Sequence, residues 1–80
     1  MKTMTCRDLG GPCDRQHRGE TADEVIQAQD RHLAEAEQSG DATHQPAREA
    51  MKARWRRPRQ SLHWYRDVQR SFAALPAGPS

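Results

Sequence analysis

Thr21-Ala22-Asp23-Glu24-Val25-Ile26-Gln27-Ala28-Gln29-Asp30-Arg31-His32-Leu33-Ala34-Glu35-Ala36-Glu37-Gln38-Ser39-Gly40 is written as a helix from its first signal to its last. Thr21 can accept a hydrogen bond from the Glu24 amide while the Glu24 carboxylate accepts one from the Thr21 amide, so two of the donors that a helix start leaves free find partners. Ala22, Val25, Ile26, Leu33 and Ala36 then recur at the spacing of one helical face, with polar Gln29 as the exception, until Ser39-Gly40 ends the run. The pattern predicts a helix over 22–37.

Upstream, Lys2 to Arg7 and Asp14 to Gly19 flank Leu9-Gly10-Gly11-Pro12, a turn-rich tetrapeptide able to reverse the chain between two strands. A hairpin followed by the helix is the simplest reading, yet Arg15-Gln16-His17-Arg18 has no β-branched or aromatic residue. Something other than strand preference has to hold that pairing. Downstream, Asp41 to Pro46 reads as a linker into a second helix, with Pro46 in its first turn and Pro58 bounding its end by Arg57. A third helix is expected with Ser61 as its cap and Pro76 closing it. Its Trp64, Val68, Phe72 and Leu75 form one apolar stripe. The fold class expected is therefore α+β. A zinc-finger-like hairpin and helix occupies 1–40, a basic two-helix extension over 41–76 lies against it, and a disordered tail covers 77–80.

Such a fold is under-filled. Val, Ile, Leu and Phe together supply only 8 of the 80 residues, and a domain this small commonly adds a metal, a disulfide or a second subunit to its core. Cys6-Arg7-Asp8-Leu9-Gly10-Gly11-Pro12-Cys13 supplies two thiols on a segment that can fold back on itself. His32 follows Cys13 after eighteen intervening residues, on the helix, and Glu37 stands five positions beyond it. Two thiolates from a hairpin and an imidazole from the next helix suit a zinc ion, although Cu⁺ and Fe²⁺ also accept sulfur and imidazole. Cys6, Cys13, His32 and Glu37 are the expected ligands. Residues five apart on an ideal helix lie about 140° apart around the axis, so Glu37 joins His32 only if the last turn loosens; His17, His44 or water are the substitutes.

On these residues the segment 1–40 resembles a bacterial and archaeal family of predicted small metal-binding proteins, a domain of unknown function. Cys6, Cys13 and His32 meet its pattern of Cys, six residues, Cys, about eighteen residues and His, with further agreement at Gly10, Thr21, Glu24 and Val25. Glu37 stands where that pattern has a second histidine, and Ser39 intervenes before Gly40. The resemblance implies metal binding and names no reaction, substrate or partner.

Charge divides the chain: residues 1–40 carry 5 basic and 8 acidic groups, residues 41–80 carry 8 basic and 3 acidic. Arg48, Lys52 and Arg56 share a helix face that Arg59 extends, and Trp55 could stack on a base, so nucleic-acid binding is the alternative function. The competing view of Trp55, with Met51 and Ala47, is a core stripe. Trp64, Val68 and Phe72 offer a surface for self-association or a protein partner. No Gly-rich phosphate loop and no nucleophile with a base at convincing spacing occurs, so the expectation is a non-enzyme. No run approaches the roughly 20 apolar residues of a membrane span, and no secretory pattern opens the sequence; a cytoplasmic location with reduced thiols is expected.

Overall fold

The computed structural model describes residues 1–76; the tail expected at 77–80 lies outside them. Strands β1 (Lys2–Thr5) and β2 (Gln16–Gly19) pair antiparallel, Lys2 opposite Gly19 and Thr5 opposite Gln16. Helices α1 (Ala22–Gln38), α2 (Gln45–Arg56) and α3 (Leu62–Ala74) follow. The fold is α+β, a two-stranded hairpin with three helices.

The weak strand composition is offset by what lies between the strands. Cys6 continues the ladder by donating to the Arg15 carbonyl at 2.8 Å, and its own carbonyl accepts from the amides of Leu9 and Gly11. A 3-10 turn at Arg7–Leu9 ends on Gly10, whose φ of 101° suits glycine. Gly11 lies so close to the Cys6 sulfur that any side chain there would overlap it. The loop is thus wound around one thiol. Met4 and His17, opposite one another in the ladder, both point inward and are buried.

Thr21 and Glu24 make the reciprocal cap that opens α1. Its far end closes in a Schellman arrangement: the Gly40 amide donates to the Glu37 carbonyl and the Asp41 amide to the Ala36 carbonyl, with Gly40 at φ 79°. The chain is turned back sharply there. Asp41 caps a 3-10 turn at Ala42–His44 that runs directly into α2, with Pro46 in the first turn. The expected linker is therefore structured, and it buries His44.

Two clusters make up the interior. Met4, Leu9, Ala22, Val25, Ile26, Val68 and Phe72 form the larger; Cys6, Leu33 and Met51 form the smaller, with Cys13 and Ala47 against it. Trp64 touches both. Lys2 holds α3 in place by donating to the carbonyls of Phe72 and Ala73, where a cation also favours a helix C-terminus. Ser61 departs from its expected role. It sits in helical rather than extended backbone, makes no capping bond, and donates to the Arg57 carbonyl instead. Among the described residues no helix is long and apolar enough to cross a membrane.

Candidate metal centre

Cys6, Cys13, His32 and His44 converge so that one ligand atom from each lies within 4.8 Å of all the others. The hairpin loop supplies both sulfurs, α1 supplies His32, and the 3-10 turn after α1 supplies His44. The Cys13 sulfur is 3.3 Å from His32 Nε2 and 3.4 Å from His44 Nε2. Tetrahedral zinc with its usual bond lengths places sulfur and nitrogen about 3.6 Å apart. Two soft sulfurs and two imidazoles are a common zinc donor set, and both cysteines are free thiols.

Two of the donors, His44 and Cys6, are held by a further side chain. His44 places Nδ1 2.9 Å from Asp41 Oδ2, so the ring's proton belongs on Nδ1 and the Nε2 lone pair faces the sulfurs. Cys6 is fully enclosed, and the Gln29 amide donates to its sulfur at 3.2 Å. The other end of that amide accepts from His17 Nε2 at 2.6 Å. Gln29 is thus the polar exception on the apolar face of α1 because it reaches under the hairpin loop to a thiol.

Proton affinities differ across the cluster. Burial pushes the Cys6 thiol up from its ordinary value. Burial acts on Cys13 in the same sense but is outweighed by hydrogen bonds from the Arg15 amide and His44, leaving that thiol below the ordinary value. Burial, then the nearby charges of His44 and His17, hold His32 down and favour the neutral ring that ligates a cation. His44 is raised, chiefly by its hydrogen bond with Cys13 and then by Asp41.

Glu37, expected as the fourth ligand, is held elsewhere. Its carboxylate accepts from Lys52 at 2.9 Å and from Arg48 at 3.4 Å, and these bonds hold it below the usual carboxylate range. The last turn of α1 remains helical, so Glu37 faces α2 while His32 faces the sulfurs. His44 completes the group because the chain doubles back after Gly40. His17, the other substitute, is engaged by Gln29.

The basic face expected for nucleic acid is divided. Arg48 and Lys52 bind Glu37, and Arg48 also reaches Asp30. Arg56 and Arg59 are exposed. Trp55 is half-exposed rather than a core residue and donates to Asp30. In the stripe considered for association, Val68 and Phe72 are buried within the chain itself, and Trp64 lies beneath the Arg54 guanidinium at 3.8 Å.

The sequence pattern of a family described as a protein of unknown function, DUF1059, matches residues 1–49. The chain belongs to this family. The DUF1059 match contains all four converging residues, His44 included, and ends inside α2. Searches of curated proteins and of solved structures give no match. A Cys/His cluster able to hold a metal ion in a DUF1059 chain agrees with the resemblance drawn from Cys6, Cys13 and His32.

Proposed function

We propose that this is a small, non-enzymatic metal-binding protein in which Cys6, Cys13, His32 and His44 hold a structural zinc ion. The convergence of two sulfurs and two ring nitrogens from three separate segments carries the reading. Four protein donors leave no open position for a substrate, which is the pattern of structural rather than catalytic zinc sites. The bound ion ties the hairpin loop, α1 and the turn before α2 together and neutralises the thiolates. Gln29 and Asp41 keep Cys6 and His44 aimed at the common point, and Leu33 and Met51 exclude water behind it.

Elemental analysis of protein purified without added metal or a nickel affinity step is expected to return one zinc per chain. A strong chelator is then expected to lower the melting temperature sharply. Protein that carries no thiophilic metal, takes none up and melts at the same temperature with chelator would overturn this function.

A further inference from the structure

We propose that the cleft behind His32 binds a small oxyanion of the phosphate class, an inference that deepens the metal-centre reading and, in its coupling to the metal, rests on it. The two histidines of the cluster are not equivalent. His44 has Asp41 behind it, whereas His32 makes its one hydrogen-bond contact through Nε2, to Cys13, and Nδ1 has no partner among the described residues. An imidazole that ligates through Nε2 carries its proton on Nδ1, and that N–H calls for an acceptor.

The wall that His32 presents to solvent is a cleft of about 220 Å³, lined also by Arg15, Arg18, Arg31, His17 and Glu35. Among the described residues none of these arginines pairs with a carboxylate. Three arginines and one acidic residue, Glu35, therefore line a hollow that has room for a tetrahedral oxyanion and a few waters, a water occupying about 30 Å³. Glu35 makes no hydrogen bond to His32.

His17 adds a second open nitrogen. The residue is only 6% exposed, and Nε2 donates to the Gln29 oxygen, because the amide nitrogen is committed to Cys6. In the neutral ring His17 Nδ1 is then a bare acceptor, with no partner among the described residues. Among the described residues no fully enclosed side-chain nitrogen or oxygen lacks a partner, so the unpaired nitrogens of both rings are not sealed from solvent, and both residues line this cleft. Their centroids are 5.6 Å apart. The cleft thus offers a donor from His32 in its ligating form, an acceptor from His17, and cationic donors from the arginines. Hydrogen phosphate answers all three, with anionic oxygens for His32 and the arginines and a P–OH for His17. Sulfate lacks the hydroxyl. No Trp, Tyr or Phe lines the cleft to stack on a base, which favours a free ion over a nucleic-acid backbone.

The test titrates inorganic phosphate into metal-free and zinc-loaded protein at constant ionic strength in chloride, with zinc content measured on every sample. Expected are saturable binding of one phosphate, at least tenfold weaker binding by the R15A/R31A double variant, and weaker binding of sulfate. Zinc loading should tighten phosphate, and phosphate should tighten zinc by the same factor in a chelator competition, since coupling is reciprocal. Both arginines are exposed, and without phosphate the double variant should bind zinc as the parent does. No saturable binding to either form, binding unchanged in R15A/R31A, or a short single-stranded oligonucleotide bound more tightly than phosphate would overturn the proposal. So would zinc affinity that falls in Glu35→Gln while phosphate has no effect, since the acceptor would then be the chain's own. A protein that takes up no zinc yet binds phosphate through the arginines would remove the metal centre alone and leave the cleft standing.

Discussion

Helix α1 has two ends that face different interiors. Its first half lays Ala22, Val25 and Ile26 against Met4, Leu9, Val68 and Phe72, while its second half lays His32 and Leu33 against Cys6, Cys13 and Met51. The first cluster is apolar and closed by α3. It is stabilised by area removed from water, at about 25 cal/mol per Å². The second contains two thiols and two imidazoles beside only two large buried apolar side chains, Leu33 and Met51, so hydrophobic burial contributes much less there. An interior of the second kind is expected to acquire its stability from a cation, whose apparent contribution in zinc-finger peptides is about 10–16 kcal/mol. One helix thus joins a region that folds by hydrophobic burial to one expected to fold by coordination.

The largest expected effect comes from breaking the second region. Cys6→Ser, or chelation of the parent, should remove most of the metal's contribution, and a loss of even 3 kcal/mol lowers the melting temperature by about 12–24 °C in a domain of this size. Amide exchange should locate the damage at the Cys6–Cys13 loop and at Asp41–His44, with Val25 and Ile26 better protected. Uniform loss across both ends would show that the regions are not separable.

Phe72→Ala tests the first region. Truncating this buried ring should cost about 3 kcal/mol and leave one metal per chain, with metal affinity unchanged in the folded protein. A change in stoichiometry would mean that α3 supports the metal centre as well.

Asp41→Asn is expected to weaken metal binding by about 10–100-fold, because a neutral amide no longer fixes the proton on His44 Nδ1. The metal-free protein should melt almost as the parent does. Competition with a colorimetric chelator reads the first effect and a thermal melt the second.

Glu37→Gln should have the smallest effect. The folded-state pKa of Glu37 is depressed, first by the hydrogen bond from Lys52, so its contribution is present above the unfolded carboxylate value near 4 and is lost as the pH falls through the lower folded value. Parent and variant should therefore differ slightly at neutral pH and converge in acid, with metal affinity equal throughout. Loss of metal affinity in this variant would return Glu37 to the ligand set.

Much of the fold is legible locally. The Thr21/Glu24 cap, the Ala22 to Ala36 stripe and the Ser39-Gly40 stop are all short-range signals, and α1 follows them to within one residue of its expected end. The same holds for Pro46 and for the stripe of α3, whose Val68 and Phe72 are buried as that pattern requires. Gln29 and Trp55 were not legible. A buried amide and an exposed indole each run against the mean behaviour of their type, and only their distant neighbours, Cys6 and His17 for one and Asp30 for the other, account for them.

By itself the sequence determined the helices, the reversal between the cysteines, and three members of the candidate metal centre, because each rests on spacing within a single element or loop. Only the tertiary structure decided the fourth. Glu37 lies nearer to His32 in the chain, but helical pitch turns it toward Lys52 and Arg48 on α2. His44 lies twelve residues from His32, and the turn at Gly40 brings it back to Cys13. That choice depends on where two helices cross and which charges meet there, and neither is a property of any short stretch of sequence.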